Sequence, residues 1–256
     1  VYDLIASKSK PRFFTLGIDN PTALERTQTV DGRPEGAFSM RGHSVGGFGS
    51  VTTNKVIATI SADLFGKYVQ AYPKYGSEKK GLPTNFYLSI ADEHVRIHHE
   101  LDILDFIAVQ DIHAFSTGNP LKGLKNDGTV FIQSTAESPN DVISKLPAWA
   151  QKEIQSRDIN VLYLDTAKIA REVSSSPDLV IRMQGIVLLG IFLKSTPFAQ
   201  GMDDDDMYPA IEKSLRKYFG KRGEQVVQEN LTCVRRGYDE VLLITAIDVA
   251  EMEVKI

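Results

Sequence analysis

The chain has 256 residues, of which 42% are hydrophobic, and a formal net charge of -4. That apolar content is enough to build a sizeable core, and the mild negative charge gives no global basic field, so nucleic acid is not an expected partner. The lone cysteine, Cys233, excludes an internal disulfide, a Cys-rich structural zinc site and a [4Fe–4S] cluster, which normally needs four thiolates.

The opening VYDLIASKSKPRFF has no apolar run of roughly 7–15 residues behind a basic start, so no signal peptide is expected and the expected compartment is the reducing cytoplasm. Residues 1–35, polar and carrying Pro11, Pro21 and Pro34, read as a lead-in or linker segment. The folded domain is expected over 36–240. Ala37–Arg41 has a short strand pattern that runs into RGHSVGGFGSVTTNK, and VTTNKVIATISADLFG then sets Val51, Ile57, Ile60 and Leu64 on one helical face. Strand, glycine loop and helix form the first half of a βαβ unit.

Tyr68–Tyr72 reads as a second strand, followed by the polar loop PKYGSEKKGLP. NFYLSIAD alternates at period two, and HVRIHHEL is expected to continue it as a paired strand. Phe106–Asp111, Thr129–Ser134 and Ile159–Asp165 are continuous apolar runs, the mark of buried parallel strands. Between the last two, Asp141 is expected to cap a helix and Pro147 to start a new one. The final third is helical: PDLVIRMQGIVLLGIFLK, MYPAIEKSLRKYFG and EQVVQENLTCVRRGYDEV. The most apolar stretch, Ile186–Leu193, is far shorter than the ~20 residues that span a bilayer, so it reads as a buried helix and no membrane partner is expected. Residues 241–256 read as an edge strand or a C-terminal connector. Strands alternating with helices at this spacing give an α/β fold: a doubly wound, mostly parallel sheet with helices on both faces and a helical C-terminal part.

The strongest local signal is the loop that holds Ser44, Gly46, Gly47, Phe48, Gly49 and Ser50. Glycines let backbone approach a bound group closely, and the helix behind them presents unpaired N–H groups to a phosphate or carboxylate. The alternative is a tight strand–helix turn that needs glycine only for packing. No Gly-Lys-Ser/Thr follows, so this is not a P-loop. A classical NAD site also wants an acidic residue at the end of the next strand for the ribose hydroxyls. Here Pro73-Lys74 stand there, which argues against it. Lys79 and Lys80, in the loop after Tyr68–Tyr72, are the second candidate for an anionic ligand or a partner's carboxylates. His94, His98 and His99 lack the HExxH pattern, and a strand would place neighbouring rings on opposite faces, so no metal site is expected. The run Asp203–Asp206 places negative charge at the start of the next helix. No catalytic set can be assembled; the chain offers a binding edge.

Together these segments resemble the gamma subunit, or the equivalent internal domain, of pyruvate:ferredoxin oxidoreductase and its 2-oxoacid relatives. The likeness runs from about Phe13 to Gly237 through FFTLGIDN, GGFGSVTTNKVIA, AYPKYGSEKKG, LPAWAQKEIQSRDINVLYLDTAKIAREV and YFGKRGEQVVQENLTCVRRG. Departures are Ser44 in place of the first loop glycine, Lys80 and Leu82 where arginine and glycine are common, and no asparagine near Met183. The resemblance implies a non-redox component of a complex that oxidatively decarboxylates pyruvate or a related 2-oxoacid such as oxalate. Thiamine diphosphate, Mg and [4Fe–4S] clusters would sit on partner subunits, ferredoxin would take the electrons, and this chain would hold no cofactor alone. In relatives that use coenzyme A, such a domain helps cover its site. The alternatives are a free-standing nucleotide-binding Rossmann-type enzyme and a non-catalytic assembly protein.

Overall fold

The computed structural model describes residues 31–45, 50–74, 83–97 and 99–245. The chain divides into two units, 1–32 and 33–256, and the second carries every element below. These elements are β1 (Phe38–Val45), α1 (Ser50–Asp63), β2 (Tyr68–Lys74), β3 (Pro83–Ala91), β4 (Leu104–Val109), the single turn α2 (Ala114–Thr117) and β5 (Leu124–Gln133). There follow α3 (Pro139–Ser144), α4 (Ala148–Ser156), β6 (Asn160–Leu164), α5 (Thr166–Val173), α6 (Pro177–Ser195), α7 (Asp204–Phe219), α8 (Glu224–Glu240) and β7 (Leu242–Ile244).

The strands form one mixed sheet in the order β2-β3-β1-β4-β5-β6-β7. β1, β2, β4, β5 and β6 share a direction, while β3 and β7 run against them. The predicted α/β class therefore holds. Its central strands are apolar on both sides because both sides are covered. Phe106, Ala108, Phe131 and Leu162 point into a core roofed by α1 and α5–α8, whereas Ile107, Val109, Val130, Ile132 and Val161 pack beneath α3 and α4.

The order of the first strands departs from a simple βαβ unit. β2 follows β1 in the chain, yet β3 lies between them, so β2 is the edge. Side-chain character accounts for the exchange. β3 is buried at nearly every position, whereas β2 is exposed or half-buried throughout and contains Pro73, which has no N–H for a central ladder.

Of HVRIHHEL, the described residues 94–97 and 99–101 do not continue β3 as a strand. Its ladder stops because both neighbours stop: Ile90 faces Phe38, the first residue of β1, and Ala91 faces Tyr68, the first of β2. The α3 cap also shifts. Ser138, not Asp141, is the N-cap, and its hydroxyl accepts the Asp141 N–H at 3.2 Å and donates to Asp141 Oδ2 at 2.7 Å. Pro147 does open α4.

α6 is apolar all round and buried from Gly185 to Leu193, while its first turns carry the exposed Asp178 and Arg182. It crosses α8 closely through two glycines, each facing a carbonyl of the other helix: Gly190 meets Val234 and Gly237 meets Val187. The aspartates 204–206 form the first turn of α7, at the positive end of its dipole. β7 adds antiparallel to β6, so the tail begins as the expected edge strand; residues 246–256 lie outside the described residues.

Candidate ligand site at the sheet's switch point

β1 and β4 are parallel neighbours whose chains leave in opposite directions. After β1 the chain proceeds to α1, whose Val56, Ile57 and Ile60 join one core. After β4 it passes through 110–123, where Phe115 and Leu121 join the core on the other face. Such a divergence opens a crevice beyond the carboxyl ends of the two strands, the usual ligand position in open α/β sheets. A cavity of about 250 Å³ occupies it, lined among others by His43 and Val45 of β1, Asn85 of β3, and Asp111, His113 and Asn119 after β4.

One wall is held by a buried cation. Arg41 is only 8% exposed, and its Nη2 donates to the carbonyls of Pro120 at 2.8 Å and Lys122 at 2.5 Å. Its Nε donates to His43 Nε2 at 3.0 Å. Burial, and then the Arg41 charge, push the His43 pKa down to about 4, against hydrogen bonds with the Pro120 carbonyl and Asn85 that favour the protonated ring. His43 is thus neutral near pH 7. With Nε2 occupied as an acceptor, its proton sits on Nδ1. The exit of β4 is tied to the same strand, the Gln110 N–H bonding the His43 carbonyl at 2.9 Å.

On the sheet face that carries Arg41 and His43, Tyr72 stacks on Tyr87 with ring centroids 5.0 Å apart. The Tyr87 hydroxyl donates to Glu100 Oε2 at 3.1 Å, while Lys74 pairs with Glu100 Oε1. Burial and then the Glu100 charge raise the Tyr87 pKa, so this hydroxyl stays protonated and remains a donor.

Ser44, expected in the glycine loop, is instead in β1, opposite Thr84. It is buried and lines the cavity. Ser50 is the first residue of α1. Gly46, Gly47, Phe48 and Gly49 lie outside the described residues, as do Lys79 and Lys80. The chain nevertheless enters both segments at one edge of the sheet. Val45, which precedes the glycines, is paired with Pro83, which follows the lysine loop. Of the three suspected histidines, His94 tilts over the Tyr68 ring at 4.2 Å and His99 Nδ1 meets the Glu100 carbonyl at 2.7 Å. His98 lies outside the described residues. Among the described residues, no group of three His, Cys, Asp or Glu side chains gathers as a metal site would.

Sequence reasoning missed His43, Asn85, Asp111 and His113. The signal for Asp111 was present, since the apolar run Phe106–Val109 ends in Gln110-Asp111. What was lacking was the knowledge that β4, and not β2, lies parallel beside β1.

Fold and cavity define an α/β domain of the doubly wound kind with a crevice at the sheet's switch point. The chain belongs to the pyruvate ferredoxin/flavodoxin oxidoreductase family, whose pattern matches residues 39–240. It is 27% identical over 242 residues to the pyruvate:ferredoxin oxidoreductase of Moorella thermoacetica, covering 93% of this chain but only 20% of that protein. It is 28% identical over 209 residues to the pyruvate synthase subunit PorC of Thermotoga maritima, covering 80% of this chain and 94% of the subunit. The crystal structure of a pyruvate oxidoreductase subunit from Thermotoga maritima shares the fold, with a TM-score of 0.62 at 24% identity over 81% of this chain and 98% of that one. No helix among the described residues is long and apolar enough to cross a membrane.

Proposed function

We propose that this chain is a non-redox component of a 2-oxoacid:ferredoxin oxidoreductase. It would pack on thiamine-diphosphate-binding and iron–sulfur subunits in the cytoplasm. The substrate is pyruvate or a related 2-oxoacid such as oxalate, and ferredoxin takes the electrons. Family membership over 39–240 carries this reading. Residues 36–240 would form the gamma-type domain, with 1–35 leading in and 241–256 leading out.

The donor set of the chain does not fit an iron–sulfur cluster. Its one thiol, Cys233, is fully buried in α8, and burial pushes its pKa up to about 12, far from the thiolate a cluster requires. Any cluster would therefore belong to the partners, and the proposed reading places thiamine diphosphate and Mg with them as well. The part left to this chain is to bind and to cover. Ser44, Gly46, Gly47, Phe48, Gly49, Ser50, Lys79 and Lys80 are the residues proposed to meet an anionic group, coenzyme A included, or a partner subunit.

Purification of the native chain tests this. Co-purification with subunits that contain iron and thiamine diphosphate supports it. A chain that elutes alone and reduces NAD overturns it in favour of a free-standing enzyme. A stable complex with no 2-oxoacid turnover overturns it in favour of an assembly role.

A further inference from the structure

Two neighbouring rungs of the β2-β3-β1 ladder carry their side chains on one face of the sheet. One rung is Tyr72, Tyr87 and Arg41, and the next is Lys74, Asn85 and His43. The segment that links β3 to β4, residues 92–103, has no regular structure, and among its described residues only Ile97 and Leu101 are buried. Polar contacts therefore carry much of its attachment to the sheet. The Tyr72 hydroxyl donates to the His99 carbonyl at 2.8 Å. The exposed Glu100 takes Lys74 on Oε1 and the Tyr87 hydroxyl on Oε2.

These contacts share one polarity. Arg41 Nε donates to His43 Nε2 at 3.0 Å, which leaves the neutral ring a single proton, on Nδ1, to give. Asn85 hydrogen-bonds both to His43 and to Tyr87. It can meet a ring N–H only with Oδ1, so Nδ2 is what it offers the Tyr87 oxygen. The Pro120 carbonyl also lies by the ring, but it already accepts from Arg41 Nη2 at 2.8 Å. Tyr87 then passes its own proton to Glu100 Oε2 at 3.1 Å. Every donor in the series points from the buried cation towards the surface carboxylate, and in such a series each bond polarises and strengthens the next.

We propose that Glu100 is a remote positioning residue for the cavity, fixing the orientation of the His43 ring through Tyr87 and Asn85. Displacing the 92–103 segment then frees the imidazole without any contact inside the cavity. This inference concerns side chains of this chain alone and needs no partner subunit, so its failure and that of the oxidoreductase reading are distinguishable.

The test is NMR of the nitrogen-labelled full chain at neutral pH, reading exchange of the His43 ring N–H with water. The resonance is assigned by its loss in His43→Gln. In the wild type the proton sits on Nδ1 and exchanges slowly enough to be seen. Tyr87→Phe removes one hydroxyl from the series and speeds exchange about tenfold or more, the factor that one lost hydrogen bond supplies. Glu100→Ala does the same, and Glu100→Gln, which keeps a neutral acceptor, falls between. Asp92→Asn breaks the segment's ion pair with Lys67 but leaves the series whole, and changes nothing. Folding is read from the same spectra, and because Glu100 is exposed its variants decide the matter even where Tyr87→Phe fails to fold. A wild-type ring N–H that is not seen, or that sits on Nε2, overturns the inference. So does wild-type exchange in folded Glu100→Ala, or an equal acceleration in Asp92→Asn.

Discussion

His43 shows how a single side chain couples the sheet to its cavity. Its ring is kept neutral by burial and by the Arg41 charge, with a folded pKa of about 4 against an ordinary 6.5. Between those values the unfolded chain binds a proton that the folded chain refuses. The stability contribution is therefore complete above pH 6.5 and is lost as the pH falls towards 4, by roughly 3 kcal/mol in all. Urea denaturation at pH 7 and pH 5 should show this loss in the wild type and a smaller one in His43→Gln. Parallel pH dependences for the two proteins would remove the linkage. Arg41 was legible only as part of a strand; its carbonyl partners, Pro120 and Lys122, lie about 80 residues away in sequence, beyond the reach of any local pattern.

At the scale of elements, the tightest constraint is the crossing of α6 and α8. A Cβ at Gly190 would come within 2.0 Å of the Val234 carbonyl oxygen, and one at Gly237 within 2.2 Å of that of Val187. Backbone cannot turn aside as a side chain does. Gly190→Ala and Gly237→Ala should each cost about 3 kcal/mol or more, at the upper end for overpacked cores, read as a fall in the urea midpoint. A wild-type midpoint in either variant would mean the helices do not meet so closely.

α8 was readable from its amphipathic periodicity and α6 from its apolar run, with Pro177 and Gly223 at their starts, because such signals are local. Which glycines face each other was not, since that depends on how two helices cross. The same distinction separates the strands. Phe106–Val109, Thr129–Gln133 and Asn160–Leu164 could be recognised from their apolar runs. The insertion of β3 between β1 and β2 is a pairing choice, and its clues were compositional: Pro73 and the exposed Tyr68 on one strand, continuous burial on the other.

For the whole molecule, the class of fold, the glycine-marked exit of β1 and the kinship to 2-oxoacid oxidoreductases are all legible in the order of the amino acids. The cavity is not, because its residues come from β1, from β3 and from the segment after β4. They become neighbours only once the strands have paired in their final order. The single buried cysteine cannot supply the four thiolates of an iron–sulfur cluster, so the proposed reading assigns any cluster to a partner. The most direct measurement is 2-oxoacid-dependent reduction of a viologen dye by the purified partner subunits, with this chain withheld and then restored. Turnover that depends on the restored chain, while the chain alone reduces nothing, is the predicted result. Full turnover by the partners without it, or dye reduction by the chain alone, would contradict the account.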